Sequence, residues 1–255
     1  ARREFRGLRD VRGLGVSQPA AGSGRIELGD CLEHLATLAP GSADLVYLDP
    51  PFNTGRRQRA AGGTYADAWP DTEAWLEFLA PRLDAAIATL RPHGAIMVHC
   101  DWRTSHHVRR WLDERLGEAS FVNHLIWSYG LGGSSPRRFA RKHDDILYHA
   151  TGPDYWFEAP RVPARSRRLA GRTKKATDVL DIPSINNLAK ERTGWPTQKP
   201  LALLEMLVRA ACPPGGLVVD PFCGSGTSVV AAVRHGRRGL GIDRSPEAVA
   251  IARRR

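Results

Sequence analysis

Three short apolar runs in this chain each end on an aspartate: ADLVYLD at 43–49, LVVD at 217–220 and RGLGID at 238–243. They are too short for ordinary helices and aliphatic enough for strands buried on both faces. A shorter run, RIEL at 25–28, is followed by Gly29-Asp30. Between these runs lie segments with helical spacing at 31–39, 73–90, 105–116, 200–212 and 228–236, and another begins at 245. Strands separated by helices predict an α/β domain with a mostly parallel central sheet. Ligands of such sheets gather at the carboxyl ends of the strands. Asp30, Asp49, Asp220 and Asp243 all fall at such ends, which is more than solvated turns require.

Further strands are expected at 95–100, 121–129 and 145–150, the last two joined by the basic link GLGGSSPRRFARKHD. With no helix between them, they predict one antiparallel edge hairpin. Pro92-His93-Gly94 reads as a turn, and Pro81 as a break or restart within 73–90. Four parts are expected. Residues 1–24 form a basic arm, 25–150 the first part of the α/β domain, 151–194 a weakly patterned basic insert, and 195–255 the rest of the same domain.

A chain of 255 residues has enough apolar content for a sizeable core. Its formal charge of +10 suggests a polyanionic partner. No apolar run is long enough to span a bilayer, so no membrane partner is expected. The start, ARREFRGLRD, lacks the apolar core of a signal peptide. It also lacks an initiating Met, which suggests that residues precede it. Cys31, Cys100, Cys212 and Cys223 form no CxxC pair, so neither a zinc site nor a disulfide framework is indicated. A reducing, intracellular setting fits best.

DPFCGSGT at 220–227 follows a strand and precedes a helix. Gly224 and Gly226 permit a tight turn and close backbone approach to a ligand. No lysine precedes Thr227-Ser228, so this is not a triphosphate-cradling loop. Asp243 ends the next strand, placed to accept hydrogen bonds from ribose hydroxyls. The same geometry serves NAD, flavin or S-adenosylmethionine.

Taken together, DPFCGSGT, DPPF at 49–52 and GWPTQKP at 194–200 resemble the amino-group DNA methyltransferases that use S-adenosylmethionine. The motif order, with DPPF first and the glycine loop last, resembles their beta class. The resemblance covers about residues 25–255. It implies a Rossmann-like methyltransferase fold, with 151–194 as a short target-recognition insert. It also implies a cofactor site. Asp220 and the Phe222, Cys223, Gly224, Ser225, Gly226 backbone, running into Thr227, would surround the methionine part. Asp243 would hold the ribose, and Asp30, with Cys31 beside it, the adenine amino group. Thr197, Gln198 and Lys199 would close over the methionine end.

The chemistry asks for a DPPF-like turn. An exocyclic amine on adenine or cytosine has its lone pair delocalised into the ring. Two acceptors aimed at its N–H groups redirect that lone pair. Asp49 offers a carboxylate. Pro50 offers a carbonyl, which the Pro50-Pro51 pair holds in a fixed direction. Phe52 can stack on the base. A carboxylate here also favours charge developing on nitrogen. The transfer needs neither a thiol nucleophile nor a metal. Cys223 and Cys212 are therefore read as structural. His106-His107 is read as surface or packing, and Trp69, Trp75, Trp102 and Trp111 as core or interface.

A base inside duplex DNA must be flipped out to reach such a pocket. Candidate phosphate contacts are Arg56, Arg57 and Arg59 in a basic loop after DPPF, then Arg137, Arg138, Arg141 and Lys142, then Arg165, Arg168, Lys174 and Lys175 in the insert. Adenine-N6 methylation of duplex DNA is the leading expectation, because the resemblance puts DPP more often on the adenine side. Cytosine-N4 methylation is the alternative, followed by an RNA amino-methyltransferase or an inactive DNA-binding subunit. A nicotinamide dehydrogenase would leave DPPF and TQKP unexplained. A homodimer, a separate cognate restriction nuclease and a cytoplasmic, nucleoid-associated location complete the expectations.

Overall fold

A computed structural model describes residues 22–60, 63–130, 134–164, 168, 171–186 and 188–255. The candidate DNA contact Arg165 and most of the expected N-terminal arm lie outside the described residues. The first half of the chain forms β1 (Gly24–Leu28), α1 (Cys31–Leu35), β2 (Ala43–Leu48), β3 (Arg56–Ala60), β4 (Gly63–Asp67), α2 (Thr72–Thr89) and β5 (Leu90–Cys100). Then come α3 (Ser105–Leu116), β6 (Phe121–Ser128), β7 (His143–Ala150), β8 (Arg161–Pro163), β9 (Thr173–Lys175) and β10 (Val179–Asp181). The last part supplies α4 (Leu201–Ala211), β11 (Leu217–Asp220), α5 (Thr227–Arg234), β12 (Arg238–Asp243) and α6 (Pro246–Arg253).

Eight strands form one sheet in the order β1-β12-β11-β2-β5-β7-β6-β10. Only β7 runs antiparallel to its neighbours. The expected hairpin is therefore present as β6–β7, and β10 adds a parallel strand outside it. β11 inserts between β2 and β12, so the last part of the chain sits beside the first. Strand alternation splits the core between the two faces of the sheet. Val46, Leu48, Ile96 and Val98 meet Trp75, Leu79 and Leu83 of α2 and Val108 and Leu112 of α3. Leu45, Tyr47, Met97 and Ile146 meet Leu203, Leu204 and Leu207 of α4.

Several elements differ from the sequence expectation. Helix α2 runs through Pro81 without a break. Its fully buried face of Trp75, Leu79, Leu83 and Ala86 outweighs the roughly 3 kcal/mol that an interior proline costs. Helix α1 stops at Leu35, and bonds from Thr37 N to His34 O and from Leu38 N to Leu35 O tighten the following turn ahead of Pro40. Residues 92–94 are not a turn between elements. They sit inside β5, where the register jumps between Ala43↔Leu90 and Leu45↔Ala95 as a bulge. The basic loop expected after DPPF is a hairpin, β3–β4. Its strands lack apolar alternation, which hid it. The insert contains a second small hairpin, β8–β9.

At the base of the central strands, Asp44 is buried and its Oδ2 accepts the Leu217 backbone N–H at 2.8 Å. Asp44→Ala leaves that N–H unpaired in the core. Urea denaturation should show a loss of about 1–3 kcal/mol.

Candidate active site

The turn that follows β2 is held from three sides. The Trp75 indole donates to the Pro51 carbonyl at 2.8 Å. Asn53 occupies the left-handed region at φ 55°, which asparagine tolerates better than most residues. Its N–H donates to Asp67 Oδ1 at 2.8 Å, and its Oδ1 accepts from Trp69 N at 2.9 Å. Thr54 donates to Asp67 Oδ2 at 2.6 Å. Asp67, buried at the end of β4, thus fastens the turn to the β3–β4 hairpin.

Asp49 follows directly on β2, on the face shared by Leu45 and Tyr47. The Lys199 ammonium donates to its Oδ2. Lys199 was expected at the methionine end of a cofactor; it bridges that segment to the DPPF turn. Its Nζ also lies 5.3 Å from the Phe52 ring centroid.

A cavity of about 640 Å³ opens between these segments, within the range of small-molecule sites. Of the expected residues, Asp30, Cys31, Asp49, Pro51, Thr197, Gln198, Lys199, Asp220, Phe222, Cys223, Gly224, Ser225, Thr227 and Asp243 line it. Pro50, Phe52 and Gly226 do not stand on its wall. Gly226 has φ 75° and a hypothetical Cβ there would sit 2.9 Å from Ala252 Cβ, so its part is to let the turn pack. On Gly224, at φ 50°, a Cβ would lie 3.0 Å from Trp195 Nε1. The glycine loop and the GWPTQKP segment are thus packed directly together.

The carboxylates are arranged by backbone N–H groups. Asp243 Oδ2 accepts from Gly224 N and its Oδ1 from Ser245 N, both at 2.8 Å. Burial pushes the Asp243 carboxyl up despite these bonds. Asp220 accepts from Phe222 N at 3.0 Å and from the Ser228 hydroxyl. Burial raises it to about 7. Asp30 Oδ1 caps α1 through Leu32 N at 2.9 Å, and its Oδ2 accepts from Arg82 Nη2 at 2.9 Å. Gln198 braces its own loop: Oε1 accepts from Thr193 N at 2.8 Å and Nε2 donates to Glu191 O at 2.7 Å. The Cys223 thiol is buried and pushed well up by desolvation. It packs where a Cβ on Gly241 would meet it at 2.9 Å, which suits a structural role.

Sequence reasoning missed four residues here. Arg82 reaches the cavity from α2 and lies 4.0 Å over the Phe78 ring. Its signal was an arginine in step with Trp75 and Leu79. Tyr65 of β4 lines the cavity, as does Thr197; only the unread hairpin could have placed it. Trp195 covers the glycine loop. His99, fully buried in β5, stacks on Phe52. Trp102 is exposed rather than core, with the Arg141 guanidinium 3.3 Å over its ring. The other candidate DNA contacts Arg56, Arg57, Arg59, Arg137, Arg138, Arg168, Lys174 and Lys175 are exposed. Lys142 is half-buried and donates to Gly130 O at 3.1 Å.

The cavity fits S-adenosylmethionine. Four carboxylates suit a cationic donor with a ribose diol and an amino group, the glycine loop allows close approach, and the Phe222 and Phe78 rings offer an apolar wall. No group of three or more His, Cys, Asp or Glu placed to hold a metal occurs among the described residues.

Comparison with known proteins agrees with this geometry. The profile of the family described as DNA methylase (N6_N4_Mtase) matches residues 43–254. The chain is 30% identical over 236 residues to Type II methyltransferase M.HpaI of Haemophilus parainfluenzae, covering 91% of this chain and 73% of the relative. It is 24% identical over 245 residues to DNA adenine methyltransferase YhdJ of Escherichia coli, covering 89% and 80%. In fold it resembles the cytosine-N4-specific PvuII DNA methyltransferase, with a TM-score of 0.70 at 20% identity over 94% of this chain and 89% of the other. It also resembles the M1.HpyAVI–SAM complex, with a TM-score of 0.64 at 22% identity over 91% and 98%.

Asp220 gives the fold a pH signature. Its carboxyl titrates near 7 when folded, against an ordinary value of 3.8. Between those values the folded chain holds a proton that the unfolded chain has released. This group's contribution therefore favours the fold at the acid end and declines as pH rises from about 4 to about 7. Asp220→Asn should remove that decline. Urea midpoints across this range should show the variant gaining on the parent as pH rises.

Proposed function

The chain belongs to the DNA methylase family, and from that premise we propose that it transfers the methyl group of S-adenosylmethionine to the N6 amino group of an adenine flipped out of duplex DNA. Bound in the cavity, the cofactor supplies an electrophilic methyl on a sulfonium. The observation that carries the reading is Asp49, a carboxylate at the end of a central strand that already holds an N–H donor, the Lys199 ammonium. An incoming amine presents the same donor chemistry. In this reading Asp49 accepts one amine N–H and Pro50 O the other, which turns the lone pair toward the methyl. Asp49 also stabilises charge on nitrogen as the bond forms, and Lys199 shifts as the amine takes its place. Phe52 supplies the stacking face.

Exposed arginines and lysines on the β3–β4 hairpin, the 134–142 link and the insert support a duplex as the substrate through phosphate contacts. The adenine-specific relative supports adenine. The fold shared with a cytosine-N4 enzyme keeps cytosine as the second reading. A second copy of the chain and a separate nuclease of matching specificity belong to the proposal as partners, with the cytoplasm as its setting.

Incubating mixed-sequence unmethylated duplex with methyl-labelled cofactor, then analysing the nucleosides, tests the base. N6-methyladenine is expected; N4-methylcytosine moves the assignment to the second reading, and no transfer to any duplex overturns both. Asp49→Ala should keep cofactor affinity and lose on the order of 10²-fold or more in kcat. Undiminished turnover would remove Asp49 from its role.

A further inference from the structure

Behind Phe52 lies a polar cluster that shares only Tyr47 with the wall of the cofactor cavity. His99 is fully buried in β5. Its Nδ1 is 2.9 Å from the Tyr47 hydroxyl and its Nε2 is 3.2 Å from Asp144 Oδ2. The Tyr129 hydroxyl donates to Asp144 Oδ1 at 3.4 Å. The His99 ring stacks against Phe52 with centroids 5.7 Å apart and planes inclined by 27°. Trp127 meets its edge at 5.6 Å and 90°, and the Trp127 indole is anchored to Ile182 O at 2.8 Å.

Chemistry assigns the protons. Burial would raise the Asp144 carboxyl, but the hydrogen bond from His99, the charge of Lys199 and the Tyr129 hydroxyl hold it below its ordinary range, so it is ionised at neutral pH. It accepts from His99 Nε2–H. Burial and the nearby carboxylates push the Tyr47 phenol well up, so it keeps its proton and donates to Nδ1. Donor and acceptor are satisfied on both sides of the imidazole, which leaves the ring one orientation. Strand register puts it beside the catalytic turn: Leu48 pairs with Val98, so Asp49 and His99 are the next residues along their strands.

We propose that His99 is a positioning residue of the target-base pocket: clamped between Tyr47 and Asp144, it supports Phe52 from behind and fixes the ring face that the flipped base stacks on. Five segments converge on it. They are β2 through Tyr47, β5 through His99 itself, β6 through Trp127, β7 through Asp144, and the turn through Phe52. The inference rests on the methyl-transfer reading for its consequence, although the clamp itself can be tested without any reaction.

His99→Leu fills much of the volume and removes both hydrogen bonds. Its crystal structure should show the Phe52 ring displaced. Methyl transfer should fall on the order of 10- to 100-fold in kcat, the scale of a misplaced reacting group, with cofactor affinity unchanged. 2-Aminopurine at the target position should give a weaker stacking signal in the variant complex. His99→Gln, which keeps a donor for Asp144, should recover part of the rate. Tyr47→Phe removes one hydroxyl and should lower kcat in the same manner but less; it carries the test if His99→Leu does not fold. An unmoved Phe52 with full kcat overturns the proposal. A parallel loss of cofactor affinity, kcat and melting temperature in every variant also overturns it, since that marks a merely structural histidine. If the parent protein is inactive on every duplex, the methyl-transfer reading falls, and the position of Phe52 alone decides whether His99 is a clamp.

Discussion

Pairing between β11 and β2 is the contact on which the rest of the molecule depends. It brings together residues 173 positions apart, with Asp44 accepting the Leu217 N–H below the register Leu45↔Val218 and Val46↔Val219. Without it the glycine loop after β11 and the DPPF turn after β2 would belong to separate halves. With it, Asp220 comes level with Tyr47, and Asp49 stands just beyond on the same sheet edge. β12 then adds Asp243 on the far side of β11, and β1 adds Asp30 beyond that. Closing so long a loop is costly in entropy, but the cost grows only slowly with length. Two buried faces, packed by α2 and α4, offset it.

The same arrangement crowds carboxylates around one cavity, which an isolated domain tolerates only with compensation. Buried ionisable groups need hydrogen bonds or a partner of opposite charge. Each acid is met differently. Asp243 takes two backbone N–H groups, Asp220 a backbone N–H and the Ser228 hydroxyl, Asp30 a helix N-terminus and Arg82, and Asp49 the Lys199 ammonium. Asp220 and Asp243 are still raised by burial. A cationic ligand completes this electrostatic environment. A cavity of this kind suits a sulfonium donor.

Cofactor-site legibility came from local chemistry. Apolar runs ending in aspartate marked the strand ends, and a glycine pair between strand and helix marked the loop, because both depend on short-range sterics and period. The β3–β4 hairpin was not legible. Its strand RRQRA has no apolar face, so Tyr65 and the bracing role of Asp67 had no signal. The continuous α2 was misread at Pro81 because the packing that overrides a proline lies elsewhere in the chain. Trp102 was read as core or interface, and of the two the structure excludes core: the ring is exposed, with two arginines over it.

By itself, the sequence determined the parallel α/β class, the four acids at strand ends and the proline-stiffened turn after Asp49, which it offered as a pair of acceptors. These follow from periodicity, proline geometry and donor–acceptor counting within a few residues. Only the tertiary structure decided that Lys199 sits on Asp49, that Arg82 holds Asp30, and that His99 stands behind Phe52 between Tyr47 and Asp144. Each of those contacts joins residues dozens to 150 positions apart. Which side chains meet across such distances is set by strand order and register, and no local pattern encodes either.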